Sequence, residues 1–197
     1  DAYGHFTQSV GDNNKVYADH SLGYGAHNKV GAQRAIGTPE KDVVVDKNTS
    51  KASVFGLNNV VLGKEVLALG NNNNVNGENS TAIGTQSTAD GINALAIGVG
   101  AKAHVTNPAA ANSNKPANLI AIGTNAKSEA AETVAIGESA KALKANANAF
   151  GSKSLAGGES SLAVGSGAQA KEDSSVAIGN DSNATAKSSV AVGESTN

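Results

Sequence analysis

The chain has 197 residues, with 15 Lys and Arg against 17 Asp and Glu and a formal net charge of −2, so it lacks the electrostatic footprint of a nucleic-acid or anionic-membrane partner. It holds three Phe, three Tyr, 23 Gly and no Trp, Met or Cys. A core must therefore come from Ala, Val, Ile and Leu, and both a disulfide framework and cysteine metal sites are excluded. With three Pro and uneven glycine spacing the chain is not collagen, and no apolar run approaches the ~18 residues of a membrane span.

Residues 1–55 carry only two short phrases, "SLGYG" and "QRAIG", closed by Gly25 and Gly37, followed by a charged stretch over residues 38–52. Tyr3, Phe6, Tyr17 and Tyr24 cluster in this segment. It is expected to form irregular first coils or a cap over the end of a repeat array, which solenoids require. Next comes "SVFGLNNVVLGKEVLALG", with glycines at Gly56, Gly63 and Gly70, seven residues apart.

From Gly70 onward the closing glycines fall at Gly84, Gly98, Gly123, Gly137, Gly151, Gly165, Gly179 and Gly193. Every step is 14 residues except Gly98 to Gly123, which is 25. An insertion is therefore expected near 104–117, within a repeat region of 56–197. Each period contains a phrase in which branched residues alternate with Ala, as in Val134-Ala135-Ile136-Gly137. Small residues recur three and five positions after the glycines from Gly84 to Gly179, as at Ser182 and Ala184. Both phrases have period two, so each unit reads as two short strands joined by turns.

Fourteen is also two heptads, but Val134 and Ile136 are two apart rather than three or four, and a glycine in every second heptad opposes a helix. The six-residue acyltransferase coil and the Gly-Gly-x-Gly-x-Asp calcium nonapeptide fail on period and pattern. The prediction is an all-β fold, a parallel β-roll of stacked two-strand coils about 4.8 Å apart. The pattern gives no reason to draw it left-handed, since right-handed crossovers are the default for parallel strands.

Two arrangements of the branched residues are open. If Ala and Ser fill a thin interior, Val and Ile point outward and need another chain; if Val and Ile turn inward, the roll is self-sufficient. Two branched residues per coil are little against the entropy of ordering a whole coil, which favours the first arrangement. A homo-oligomer is therefore expected, with Ile83, Ile97, Ile122, Ile136, Val164, Ile178 and Val192 near its shared axis.

"NSTAIGTQSTADG", "ETVAIGESAKA" and "SSVAIGNDSNATA" resemble the repeat of the YadA-like heads of trimeric autotransporter adhesins. The resemblance covers residues 56–197. It implies a left-handed parallel β-roll from each chain, three chains side by side as a homotrimer, displayed on a Gram-negative outer membrane by a stalk and a C-terminal anchor. The repeat breaks off within Glu194 to Asn197, as expected if neck, stalk and anchor lie downstream. The implied partners are extracellular-matrix proteins such as collagen, fibronectin or laminin, or a host cell-surface receptor. The fragment itself is not expected to insert into a membrane. A spacer that displays another binding domain, or a self-association module, is the alternative.

Candidate chemistry is sparse. "GVGAKA" and "GSGAQA", with Gly98, Gly100, Gly165 and Gly167, match G-x-G-x-x-A, yet a strand follows where a phosphate cradle needs a helix N-terminus, so they read as repeat turns. His5, His20, His27 and His104 form no pair at metal-ligand spacing. No G-x-S-x-G elbow leads into a helix. Neither an enzyme nor a cofactor is expected. Asn48, Asn79 and Asn183 open glycosylation-type tripeptides that turn formation explains. Because loops on rigid scaffolds carry binding, the insertion supplies the ligand-binding candidates His104, Thr106, Asn107, Asn114 and Lys115, with an inert surface loop as the alternative.

Overall fold

The computed structural model describes residues 1–34, 43–45, 49–105 and 117–197. Among them the regular elements are all strands, wound into two stacked parallel sheets with one small antiparallel pair beside them. The long sheet has 12 strands, from Gln8–Asp12 to Val190–Val192, and the second has 11, from Lys15–Val16 to Asn183–Ala184. Each coil contributes one strand to each sheet. Partners lie one period apart: Thr81 pairs with Leu95, Ile120 with Val134, and Val176 with Val190.

The alternation read from the sequence sets which residues face inward. Ala68, Ala82, Ala96, Ala121, Ala135, Ala149, Ala163 and Ala177 form one buried column of the long sheet. The second sheet opposes it with Ala89, Ala103, Ser128, Ala142, Ala156, Ala170 and Ala184. The interior is thin because two columns of single methyl groups meet. Of the two arrangements, the chain adopts the one with branched residues outside.

Toward the N-terminus the inward side chains are larger. Val16, Val30, Val61 and Val75 replace alanine in the second sheet. Where Val16 stands, the long sheet carries Gly23, whose place leaves no room for a side chain: a Cβ there would lie 2.7 Å from Val16 Cγ2. Complementary volumes hold the sheet spacing across the change. The buried residues form two apolar clusters, Val16 to Ala126 and Ala135 to Ala191. Between them Ser128 and Thr133 bond side chain to side chain at 2.6 Å.

Two departures from the period are inserted at corners, leaving the ladder intact. Leu22 pairs directly with Ser53, and the residues between them include an antiparallel pair, Ala32–Arg34 with Val43–Val45. Leu95 pairs with Ile120 across the second departure. Its ends belong to the roll: Lys102–His104 is a strand of the second sheet, and Ala117 is buried. The ladder already runs in register from Gln8–Asp12, which pairs with Leu22–Ala26 ahead of the stretch where the repeat becomes obvious in the sequence.

The seven-residue phrases find their explanation here. Gly56 and Gly70 close successive strands of the long sheet, while Gly63 closes Val60–Leu62 of the second. One coil is thus two half-turns of seven residues, and in this coil both strands are aliphatic.

Candidate functional site: two unlike outer faces

With alanine inside, the remaining side chains of the long sheet project outward in two in-register columns. One contains Ile83, Ile97, Ile122, Ile136, Val164, Ile178 and Val192, all the residues expected near a shared axis. The other, two residues earlier, contains Leu95, Ile120, Val134, Leu162 and Val176. Leu69 is 45%, Ile136 37% and Ile178 38% exposed, so large aliphatic groups stand half in water along the sheet. A monomer rarely leaves so long an apolar stripe uncovered.

The second sheet presents a different outer face. Lys102, Lys127 and Lys141 occupy adjacent strands, followed by Leu155, Gln169 and Asn183. Lys127 lies 3.9 Å from Glu129. One face is mostly aliphatic; the other is charged and mixed.

Charges and rings one period apart sit side by side on neighbouring coils. Lys51 donates to Glu65 at 2.8 Å, and Lys64 lies 3.8 Å from Glu78. The hydrogen bond from Lys51, reinforced by its charge, holds the Glu65 carboxyl below its ordinary range, and the same bond raises Lys51. Tyr3 stacks on Tyr17 with centroids 4.7 Å apart, and Phe6 on His20 at 5.3 Å.

His104, at the foot of the insertion, places Nδ1 2.8 Å from Asp90 Oδ2 on the preceding coil, and Asp90 Oδ1 accepts from Asn76. At the other foot Asn93 donates to Asn118 at 2.9 Å. Thr106, Asn107, Asn114 and Lys115 lie outside the described residues, as does Asn48. Of the other histidines, His5 donates its backbone N–H to Asp19 and His27 accepts from Asn13. Among the described residues no group of three or more His, Cys, Asp or Glu could hold a metal ion. Gly100 and Gly167 occupy the left-handed corner that Asn125 and Asp181 occupy in neighbouring coils, so they turn the chain. Asn79 and Asn183 donate to Asn93 and Asn197 on the next coil.

One feature escaped the sequence reading. Asn14, Asn28, Asn59 and Asn73 are buried, each three residues after a closing glycine. Asn59 Nδ2 donates to the Gly70 carbonyl at 2.8 Å and to Asn28 Oδ1 at 2.9 Å, while its own Oδ1 accepts from the Asn73 backbone N–H at 3.0 Å. Asn28 repeats the pattern with Gly56 and Asn14, and Ser87 ends the column. The signal was the position itself, where the regular repeats carry Ala or Ser.

The model of the YadA head domain repeat (2 copies) matches residues 67–87, 76–101, 89–107, 120–140, 129–156, 156–182 and 170–196. These cover more than half of the chain. No curated protein matches it.

Proposed function

Because this chain belongs to the YadA head family of adhesin-type domains, we propose that it works as a non-enzymatic adhesin head built from three copies packed side by side. The observation that carries this reading is the aliphatic outer face of the long sheet, with Leu69, Ile136 and Ile178 half exposed over an interior of alanine. In the proposed trimer that face turns toward the axis and the charged face of the second sheet turns toward solvent. Burying the branched side chains supplies what the thin interior lacks, at roughly 25 cal/mol per Å² of apolar surface removed from water.

The outward surface then displays each element three times, so weak contacts add by avidity. The partner class we propose is an extracellular-matrix protein such as collagen, fibronectin or laminin, or a host cell-surface receptor. The insertion bounded by His104 and Ala117 is the candidate contact, including Thr106, Asn107, Asn114 and Lys115, because the pairs Asp90–His104 and Asn93–Asn118 anchor both its feet. The head would stand on the bacterial surface, carried by a stalk and an outer-membrane anchor.

The test is binding of residues 1–197 to immobilised collagen, fibronectin, laminin and host cells, with and without residues 105–116. The adhesin reading expects saturable binding that falls at least tenfold on deletion. Full binding after deletion would move the contact onto the coils. No binding at all would favour the alternative role as spacer or self-association module, which the unbroken ladder of coils also suits.

A further inference from the structure

A repeat array that assembles with copies of itself has a difficulty that a single-site interface lacks. Its contact face is nearly periodic, so two copies shifted by one coil, about 4.8 Å, still meet aliphatic against aliphatic. Only the terminal layers are lost. A unique alignment needs layers that differ from their neighbours.

The outer face of the long sheet has two such layers. Between Leu95 and Val190, Asn148 is the only polar residue in its column, paired with Val134 on one side and Leu162 on the other. In the adjacent column Phe150 is the only aromatic residue between Leu69 and Val192, paired with Ile136 and Val164. Polar and oversized residues thus fall on one strand, Asn148–Phe150. The combination recurs once, at Ser53 and Phe55, between Leu22/Tyr24 on one side and Leu67/Leu69 on the other. Asn148 Nδ2 donates to the Asn146 carbonyl at 3.0 Å, and its Oδ1 has no partner within the described residues. An unpaired amide oxygen on a face meant for burial needs a partner from another copy.

We propose that the Asn148/Phe150 and Ser53/Phe55 layers are register pins between copies of this chain; the inference rests on the trimer reading above. In register, three Asn148 amides meet around the axis and can bond to one another, and three Phe150 rings fill one wide layer. One coil out of register, each Asn148 amide faces Val134 or Leu162 and each Phe150 ring faces Ile136 or Val164, while Phe55 faces Leu69 in one direction and Tyr24 in the other. This is the use that single buried asparagines serve in other self-associating repeats, where they select one alignment at a cost in stability.

The experiment replaces both layers with what their neighbours carry, Asn148→Leu with Phe150→Val and Ser53→Leu with Phe55→Leu, in residues 1–197. These choices copy Leu162/Val164 and Leu67/Leu69, and of the contacts inside the roll they remove the stacking of Phe55 on Tyr24, 6.2 Å between centroids, and the Asn148–Asn146 bond. Isoleucine δ-methyl NMR of a symmetric in-register trimer gives one signal per residue, whereas a shifted copy breaks the symmetry. The parent chain should show single signals for Ile97, Ile122 and Ile178. The four-substitution variant should keep its trimer mass in sedimentation and show each of these signals split into two or more. A trimeric variant that keeps single signals would overturn the pins and leave the trimer standing. A monomeric parent chain would remove the trimer and the pins together.

Discussion

A glycine is required where a strand of the long sheet closes because the next coil passes directly over it. Gly123 has φ of 129°, and a Cβ there would lie 2.5 Å from the Gly137 carbonyl oxygen of the following coil. Gly123→Ala should cost at least about 2 kcal/mol, combining backbone strain with the clash, measured as a lower urea midpoint. Gly100→Asn should cost far less, about 0.5 kcal/mol, because asparagine tolerates the left-handed corner and its Cβ would meet only the end of the Asn125 side chain, Oδ1 at 2.6 Å, which can turn aside. Its φ of 65° matches that of Asn125 on the next coil, at 56°. The buried asparagines make the opposite case. Asn59→Leu leaves the Gly70 carbonyl and the Asn73 N–H without their partners, so it should lower stability by about 2–5 kcal/mol by the same measurement. Residues of the first kind were legible from spacing alone. The asparagines were not, because an Asn in a glycine-rich sequence reads as a turn former until its burial is known.

At the scale of the strand, the alternation Val-Ala-Ile gave the element, its inner residue and its outer pair, and the structure places Ala135 inside with Val134 and Ile136 outside. The coil boundaries followed from the glycine period. What the pattern hid were the first coils: Gly23 and Val16 exchange the usual sizes, so the strands Leu22–Ala26 and Lys15–Val16 lack the Ala signature although they continue the long sheet and the second sheet respectively. The charged residues between coils were legible as composition but not as pairs one period apart. Lys51 and Glu65 show the consequence. The Glu65 carboxyl is held below its ordinary range in the folded chain, so its contribution is present above the unfolded value and is lost as pH falls through the lowered folded value. Both groups are open to solvent, so the effect is small. Glu65→Gln should slightly reduce stability near neutral pH and leave it unchanged in strong acid, where the parent carboxyl is also protonated; urea titrations at both conditions would show it.

At the scale of the whole molecule, the family assignment and the unlike faces point to the same arrangement. Toward the C-terminal end the interior is mostly alanine, and in the proposed trimer the half-exposed Ile136 and Ile178 are where further burial would come from. Placing a charge there should be felt by the assembly more than by the roll. Ile136→Asp with Ile178→Asp should dissociate the trimer at micromolar concentration while the far-UV circular dichroism of any surviving monomer remains that of β-structure. Binding to matrix proteins, if it depends on threefold display, should fall by the ~10²–10⁴ that multivalency provides.

The most direct measurement is sedimentation equilibrium of residues 1–197 across micromolar concentrations, with a monomer of 19.4 kDa as the reference mass. The proposed trimer should sediment as a single species of three times that mass, stable to dilution and lost in the Ile136→Asp/Ile178→Asp chain. A folded parent chain sedimenting at the monomer mass would contradict it, because the apolar face would then be stable in water on its own.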